Sequence, residues 1–292
     1  MNILITGAWT SEYITEIEEM GHRTIFQELE AGKLPCGYDW VEGVICNGLF
    51  LYHPLSRFIN LRYIQLTSAG YDRVPMQEAE NREITVKNSR GVYSVPMAEF
   101  VLTAVLDLYK EMEGFRLQQK NHIWKKNRGL RELMGSRVLI VGCGSVGTEC
   151  AVRFHAFGCR IIGIDHAVRE DVTYDRILPL ENLDRELTKA DIVVLALPLT
   201  NKTRCLIDEK RLNMIKGILV NISRGAVVDR KALEQWEGAA VLDVFEEEPL
   251  PPDSPLWDKK NVIITPHNSF VGNNNKIRLK KLIISNLRKF NE

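Results

Sequence analysis

Val138-Leu139-Ile140-Val141-Gly142-Cys143-Gly144-Ser145-Val146-Gly147 is the stretch on which the fold turns. Four apolar residues in a row read as a buried strand, and the G-x-G-x-x-G spacing then opens a helical stretch ending near Phe157-Gly158. Such a glycine pattern alone is weak evidence, but here an acid, Asp165, closes the next strand-like run 18 residues after the last glycine. Each part has a physical task in holding a dinucleotide. Gly142 makes the tight turn, Gly144 lets the backbone approach a pyrophosphate, and Gly147 permits close helix–strand packing. The helix N-terminus offers unpaired N–H groups and the positive end of its dipole to the diphosphate. Asp165 would accept hydrogen bonds from the ribose hydroxyls and repel a 2′-phosphate, so NAD is the expected cofactor rather than NADP.

Outward from this motif, short β-branched runs alternate with helical patterns along the whole chain, which predicts an α/β protein with largely parallel sheets. Downstream the expected strands are Arg137–Val141, Arg160–Ile164, Asp191–Leu197, Ile218–Ile222, Ala239–Val244 and Asn261–Thr265, six runs that suit a doubly wound nucleotide fold. Upstream they are Ile3–Thr6, Thr24–Phe26, Val44–Cys46, Tyr63–Thr67 and Ile84–Val86, enough for one further compact sheet. Between the two sets, Met97, Val101, Val105, Leu108 and Met112 recur at helical spacing behind Pro96, predicting one long helix to about Glu113 that connects two domains. The final residues, with Ile277, Lys280, Lys281, Ile284 and Leu287, suggest an amphipathic helix that packs back on the first unit.

Composition narrows the function classes. The 38 Lys and Arg balance 38 Asp and Glu, so no net field favours nucleic acid or an anionic membrane. A small molecule is the expected partner. No apolar run approaches the roughly 18 residues of a membrane span. The N-terminus enters a strand-like run at once without a basic region, so the reading predicts no secretory signal and a cytoplasmic protein. The six cysteines form no C-x-x-C pair and mostly interrupt apolar runs, which argues for buried free thiols and against disulfides or a metal site.

In a parallel sheet the C-terminal strand ends share one edge, where ligands bind. Three expected strands end there in chemistry-bearing residues: Ile218–Ile222 in Ser223-Arg224-Gly225, Ala239–Val244 in Phe245-Glu246-Glu247-Glu248-Pro249, and Asn261–Thr265 in Pro266-His267. Reducing a 2-keto acid requires a cation for its carboxylate, a proton donor for its carbonyl oxygen and a group that keeps the donor charged. Arg224 offers a planar fork for two hydrogen bonds to a carboxylate. His267 can serve as acid in reduction and base in oxidation. A carboxylate such as Glu248 would orient the imidazole and favour its protonated form, although the whole run Glu246-Glu247-Glu248 also fits a solvated loop. Asp243, at a strand end, could contact the nicotinamide amide. The other five histidines (His22, His53, His122, His155, His166) read as ordinary surface or packing residues.

These residues resemble the D-isomer-specific 2-hydroxyacid dehydrogenase family over nearly the whole chain. The likeness rests on the glycine motif, Leu197-Pro198-Leu199-Thr200, Asn221 to Asp229, Leu242 to Leu250, and Thr265-Pro266-His267. The family's catalytic arginine falls on Arg224, its glutamate on Glu248 and its histidine on His267. The resemblance implies that Ser145, Val146 and Pro198 join Gly142, Gly144, Gly147, Asp165 and Asp243 in binding NAD. Ser68-Ala69-Gly70-Tyr71-Asp72 looks like the substrate loop, so Ser68, Ala69 and Gly70 are expected to meet the substrate carboxylate together with Arg224. Val95-Pro96-Met97-Ala98-Glu99 resembles the start of the interdomain helix, and Trp124 the tryptophan of a dimerisation arm.

The implied architecture is two Rossmann-like or flavodoxin-like α/β domains with parallel sheets and an interdomain cleft. Its substrate domain is discontinuous (1–94 plus 269–292), its NAD domain spans 95–268, and the assembly is a homodimer. Departures exist: Asn268-Ser269-Phe270 follows His267 where many relatives carry an apolar residue and glycines, and the short tail after His267 leads us to expect no appended regulatory domain. Two other readings compete. An NAD-sensing corepressor could retain the triad, though this chain has no disordered or charged tail of the kind such partners use. Formate dehydrogenases resemble the family with glutamine in place of Glu248.

Overall fold

A computed structural model of the chain describes residues 1–291, which separate into two compact units: Met1–Tyr93 together with the chain from Gly272 on, and Ser94–Val271. In chain order the elements are β1 (Asn2–Thr6), α1 (Ser11–Glu19), β2 (Arg23–Gln27), β3 (Gly43–Cys46), β4 (Tyr63–Leu66), α2 (Met76–Asn81), β5 (Thr85–Lys87), α3 (Ser94–Lys110) and α4 (Met112–Lys120). The series continues with β6 (Arg137–Val141), α5 (Ser145–Ala156), β7 (Arg160–Ile164), β8 (Arg176–Leu178), α6 (Leu183–Leu187), β9 (Ile192–Leu195) and α7 (Glu209–Met214). It closes with β10 (Ile218–Asn221), α8 (Arg230–Gln235), β11 (Ala239–Leu242), β12 (Val262–Ile264) and α9 (Asn275–Asn291).

Every strand pair is parallel, and the two sheets run β2-β1-β3-β4-β5 and β12-β11-β10-β9-β6-β7-β8. The first is a flavodoxin-like order and the second the doubly wound nucleotide order extended by one strand, with the reversal between β6 and β9. Parallel sheets are covered on both faces, which is why their central strands are continuous apolar runs. In β6, Val138 and Ile140 join the core under α3 and α5, beside Val101, Val105, Cys150 and Phe154. Leu139 and Val141 point the other way, into a core with Leu183, Leu187, Leu212 and Leu233. The alternation of strand side chains thus divides one sequence run between two hydrophobic layers.

In the first unit, α9 returns to cover one face of the sheet: Leu279, Ile283, Ile284 and Leu287 pack with Ile3, Ile5, Tyr13 and Ile17. Burying each such aliphatic side chain contributes roughly 1.5–3 kcal/mol. Asn286 donates to the fully buried Gln65 at 2.9 Å, so the helix also satisfies a polar position of the sheet.

Two sequence expectations are corrected by the fold. The expected long helix from Pro96 to about Glu113 is two helices, because Glu111 sits in the left-handed region (φ 48°) and ends α3 before α4 starts. A seventh strand, β8, went unpredicted because it is only 3 residues long and opens on an arginine. No described helix is long and apolar enough to cross a membrane. All six cysteines are free thiols, and burial pushes Cys143 and Cys150 up to about 12, which leaves both as packing residues.

Candidate active site

The glycine motif forms the turn from β6 into α5. Gly142 has φ +97°, and a Cβ there would meet the Ala196 backbone at 2.7 Å, so both its conformation and its space demand glycine. At Gly147 a Cβ would stand 2.1 Å from the Gly142 carbonyl oxygen, which is the close packing of helix against loop that the motif requires. Gly144 is extended and caps α5 with no side chain over the first turn, leaving the N–H groups near Ser145 and Val146 facing outward. This bare, positively polarised turn fits a pyrophosphate.

Asp165, just past β7, braces the same loop: its Oδ2 accepts from the Cys143 N–H at 2.7 Å and its Oδ1 from the Ala167 N–H at 2.9 Å. The acid therefore sits at the edge of the glycine turn, where the ribose next to a bound pyrophosphate would lie. Arg169 donates to the Cys143 carbonyl at 2.6 Å. Pro198 is exposed beyond β9, and its carbonyl accepts from Thr203 Oγ1 at 2.7 Å.

The neighbouring strands β10, β11 and β12 deliver Arg224, Glu248 and His267 on the turns that follow them. After β10, Asn221 folds back on its own turn: its amide donates to the Arg224 carbonyl at 3.1 Å, and its Oδ1 accepts from Ser223 Oγ at 2.8 Å. Arg224 Nη1 donates to the Ser223 carbonyl at 2.8 Å. Gly225 presses this turn onto the next one, since a Cβ there would fall 1.9 Å from the Phe245 carbonyl carbon.

After β11 the three glutamates part company. Glu246 pairs with Arg204 at 3.0 Å, Glu247 with Arg230 at 3.2 Å, and Glu248 turns to His267, whose Nδ1 lies 2.8 Å from its Oε2. The other Glu248 oxygen accepts from the Phe245 N–H at 3.0 Å, which fixes the carboxylate plane.

His267 itself has φ 51°, a conformation rare outside glycine that costs on the order of 1 kcal/mol or more. Asp243 holds it there. The Asp243 carbonyl accepts from the His267 N–H at 2.8 Å, while its fully buried carboxylate accepts from Asn268 N–H at 2.7 Å, Ser269 N–H at 3.0 Å and Thr265 Oγ1 at 2.6 Å. This clamp was missed in the sequence, although a signal existed: an acid between Leu242 and Val244 in a buried run must be fully hydrogen-bonded. Phe270 packs edge-on to the imidazole with ring centroids 6.0 Å apart, a wall supplied by the departing segment after the histidine.

Ser68, Ala69 and Gly70 lie after β4 in the first unit. Ser68 Oγ donates to the Gly70 carbonyl at 3.0 Å, and Asn88 donates to the Ala69 carbonyl at 2.6 Å, so the loop is braced internally. Among the described residues no group of His, Cys, Asp and Glu is placed to hold a metal ion.

Residues 102–269 match the family model described as D-isomer specific 2-hydroxyacid dehydrogenase, NAD binding domain. A glyoxylate reductase of Korarchaeum cryptofilum is 34% identical over 242 residues, covering 79% of this chain and 73% of that one. An (S)-sulfolactate dehydrogenase of Chromohalobacter salexigens is 32% identical over 247 residues, 80% of this chain and 79% of the other. Among solved structures, a D-isomer specific 2-hydroxyacid dehydrogenase family protein from Aeromonas salmonicida superposes with a TM-score of 0.84 at 29% identity, covering 99% of this chain and 96% of that one.

Proposed function

The chain belongs to the D-isomer-specific 2-hydroxyacid dehydrogenase family, and from that premise we propose that Arg224, Glu248 and His267 carry hydride transfer between NAD(H) and C2 of a small 2-keto or 2-hydroxy acid. The observation that carries this reading is the 2.8 Å pair of His267 Nδ1 and Glu248 Oε2, held on turns behind adjacent strands. The family makes the protein an NAD-dependent oxidoreductase acting on CH–OH groups.

Bound at the glycine turn of Gly142, Gly144 and Gly147, NAD(H) would supply the hydride-transfer chemistry at C2. His267 handles the accompanying proton. With Nδ1–H donated to Glu248, Nε2 is the atom left to protonate the C2 oxygen, turning the carbonyl into a hydroxyl, and to remove that proton in reverse. Arg224 grips the substrate carboxylate through its planar fork. Asp243 is assigned to positioning His267 rather than to the nicotinamide amide, because its carboxylate is buried and taken up by the turn. Gly142, Gly144, Ser145, Val146, Gly147, Asp165 and Pro198 hold the dinucleotide in this reading, and the backbone of Ser68, Ala69 and Gly70 binds substrate, as the resemblance implies.

The relatives named glyoxylate reductase make glyoxylate the first compound to try. Steady oxidation of NADH is expected with glyoxylate or another short 2-keto acid, and NADPH should serve at least tenfold less well, since Asp165 repels the extra phosphate. Binding of NADH without turnover across a panel of such acids would favour an NAD-sensing role. Equal use of NADPH would remove Asp165 as the selector.

Glu248→Gln exchanges the charged acceptor of the His267 Nδ1–H for a neutral amide, so kcat should fall roughly tenfold while NADH affinity holds. Glu246→Gln and Glu247→Gln, whose partners are Arg204 and Arg230, should leave kcat within about twofold. An unchanged kcat in Glu248→Gln would make that residue a loop brace only.

We also propose a homodimer. Ile123 and Trp124, the latter 98% exposed, follow α4 with Leu117 59% exposed on it, an apolar arm that a second copy would cover. Sedimentation equilibrium should give twice the 33.4 kDa chain mass, and a monomer at micromolar concentration overturns this.

A further inference from the structure

At the opposite end of the nucleotide-fold sheet from the glycine turn, three neighbouring strands begin with arginine: Arg137 on β6, Arg160 on β7 and Arg176 on β8. Register puts them on one face. Arg137 pairs directly with Arg160, and Arg176 pairs with Ile162, two residues along from Arg160 and therefore on the same side. That side is the α6 side, where Leu139 and Ile162 meet Leu183 and Leu187.

The arginines line a cavity of about 750 Å³ whose walls carry five cations against two carboxylates. Arg185 and Lys189 complete the positive set, and Ile162 with Leu178 gives it an aliphatic floor.

The carboxylates do not neutralise the set evenly. Glu186 is buried and already shared: Arg137 donates to its Oε2, Lys189 lies 3.2 Å and Arg185 3.8 Å from its Oε1. Burial opposes its ionisation, yet the hydrogen bonds from Lys189 and Arg137 outweigh that and hold its carboxyl below the usual range. Asp175 gives one oxygen to the Ile161 N–H at 2.6 Å. Arg160 and Arg176 are left with no ion-pair or hydrogen-bond partner for their guanidinium groups among the described residues.

Like charges on adjacent strands repel. Two unpaired planar forks side by side in a concave site make a poor choice for folding and a good one for an anion with several oxygens. The volume suits a small molecule rather than a polymer. The site is distinct from the dinucleotide turn, since the length of β6, 5 residues or roughly 16 Å, separates the two edges.

We propose that this cavity is a second binding site, independent of the hydride-transfer site, for a small phosphate compound. Its phosphate oxygens lie on Arg160 and Arg176, and the rest of the molecule lies over Ile162 and Leu178.

Inorganic tripolyphosphate is the probe, titrated calorimetrically at low ionic strength into the full chain saturated with NADH, so that the glycine turn is already occupied. Wild type should bind one equivalent per chain. The double substitution R160S and R176S should weaken binding at least tenfold. Removing the same charge elsewhere, with K216S and K231S, should change it less than twofold. R160K and R176K together, which keep the charge and lose the forks, should fall between.

Both arginines are exposed at strand starts, so the serine variant should keep its circular dichroism and melting temperature. Tripolyphosphate should raise the melting temperature of wild type but not of that variant. Absent binding in wild type, equal weakening in the two double-serine variants, or undiminished binding after loss of Arg160 and Arg176 overturns the proposal.

Discussion

His267→Gln is expected to lower turnover with a 2-keto acid by roughly two to four orders of magnitude while NADH affinity changes less than about twofold. The glutamine keeps a polar side chain and can still bond Glu248, but it has no titratable proton to give the C2 oxygen. Backbone geometry should survive, because the left-handed turn is held by the Asp243 carbonyl and carboxylate rather than by the imidazole. The dinucleotide turn belongs to a different loop of the same unit, which is why NADH binding, read by fluorescence titration, serves as the folding control. Turnover within threefold of wild type would remove His267 from proton transfer. A parallel loss of NADH affinity would instead show that the substitution disturbed the unit as a whole.

Arg224→Lys carries the second large effect. The substitution preserves the charge, so any loss measures geometry. A lysine ammonium is a point charge that cannot place two parallel N–H groups on one carboxylate. Its shorter reach also abandons the bond to the Ser223 carbonyl. Losing one charge-assisted hydrogen bond, about 1.5–3 kcal/mol, corresponds to roughly a 10- to 150-fold fall in kcat/KM. The substrate KM should rise and kcat should fall together, since a carboxylate held by one contact no longer fixes C2 for hydride transfer. Normal kinetics in the lysine variant would reduce Arg224 to a member of the loop.

Legibility in the sequence followed physical coverage. Strands buried on both faces, such as β6 and β9, appear as unbroken apolar runs and were readable to within a residue or two. Short β8 was not, because its single buried residue, Ile177, leaves no pattern to detect. The break at Glu111 was invisible for a related reason: a left-handed residue between two helical segments leaves the side-chain periodicity nearly intact. At the candidate site, strand-end position brought out Arg224 and His267. It could not decide among Glu246, Glu247 and Glu248, since the direction of consecutive loop side chains depends on where Arg204 and Arg230 arrive from distant parts of the chain. The arginine row was hidden most completely. Its members are spread from Arg137 to Arg176, and only the parallel register places them on one face.

The return of α9 to the first sheet has a consequence for synthesis. Ile3, Ile5, Tyr13 and Ile17 leave the ribosome well before the side chains that cover them, Leu279, Ile283, Ile284 and Leu287. Between Tyr93 and Gly272 roughly 180 residues must be translated, about 10 to 40 s at 5–20 residues per second. The nucleotide-binding unit, one uninterrupted segment, can therefore finish first, while the earlier-made unit waits with an open apolar face. A chain stalled or truncated before Leu279 should be a better client for a hydrophobic holdase than its folded nucleotide-binding half would suggest.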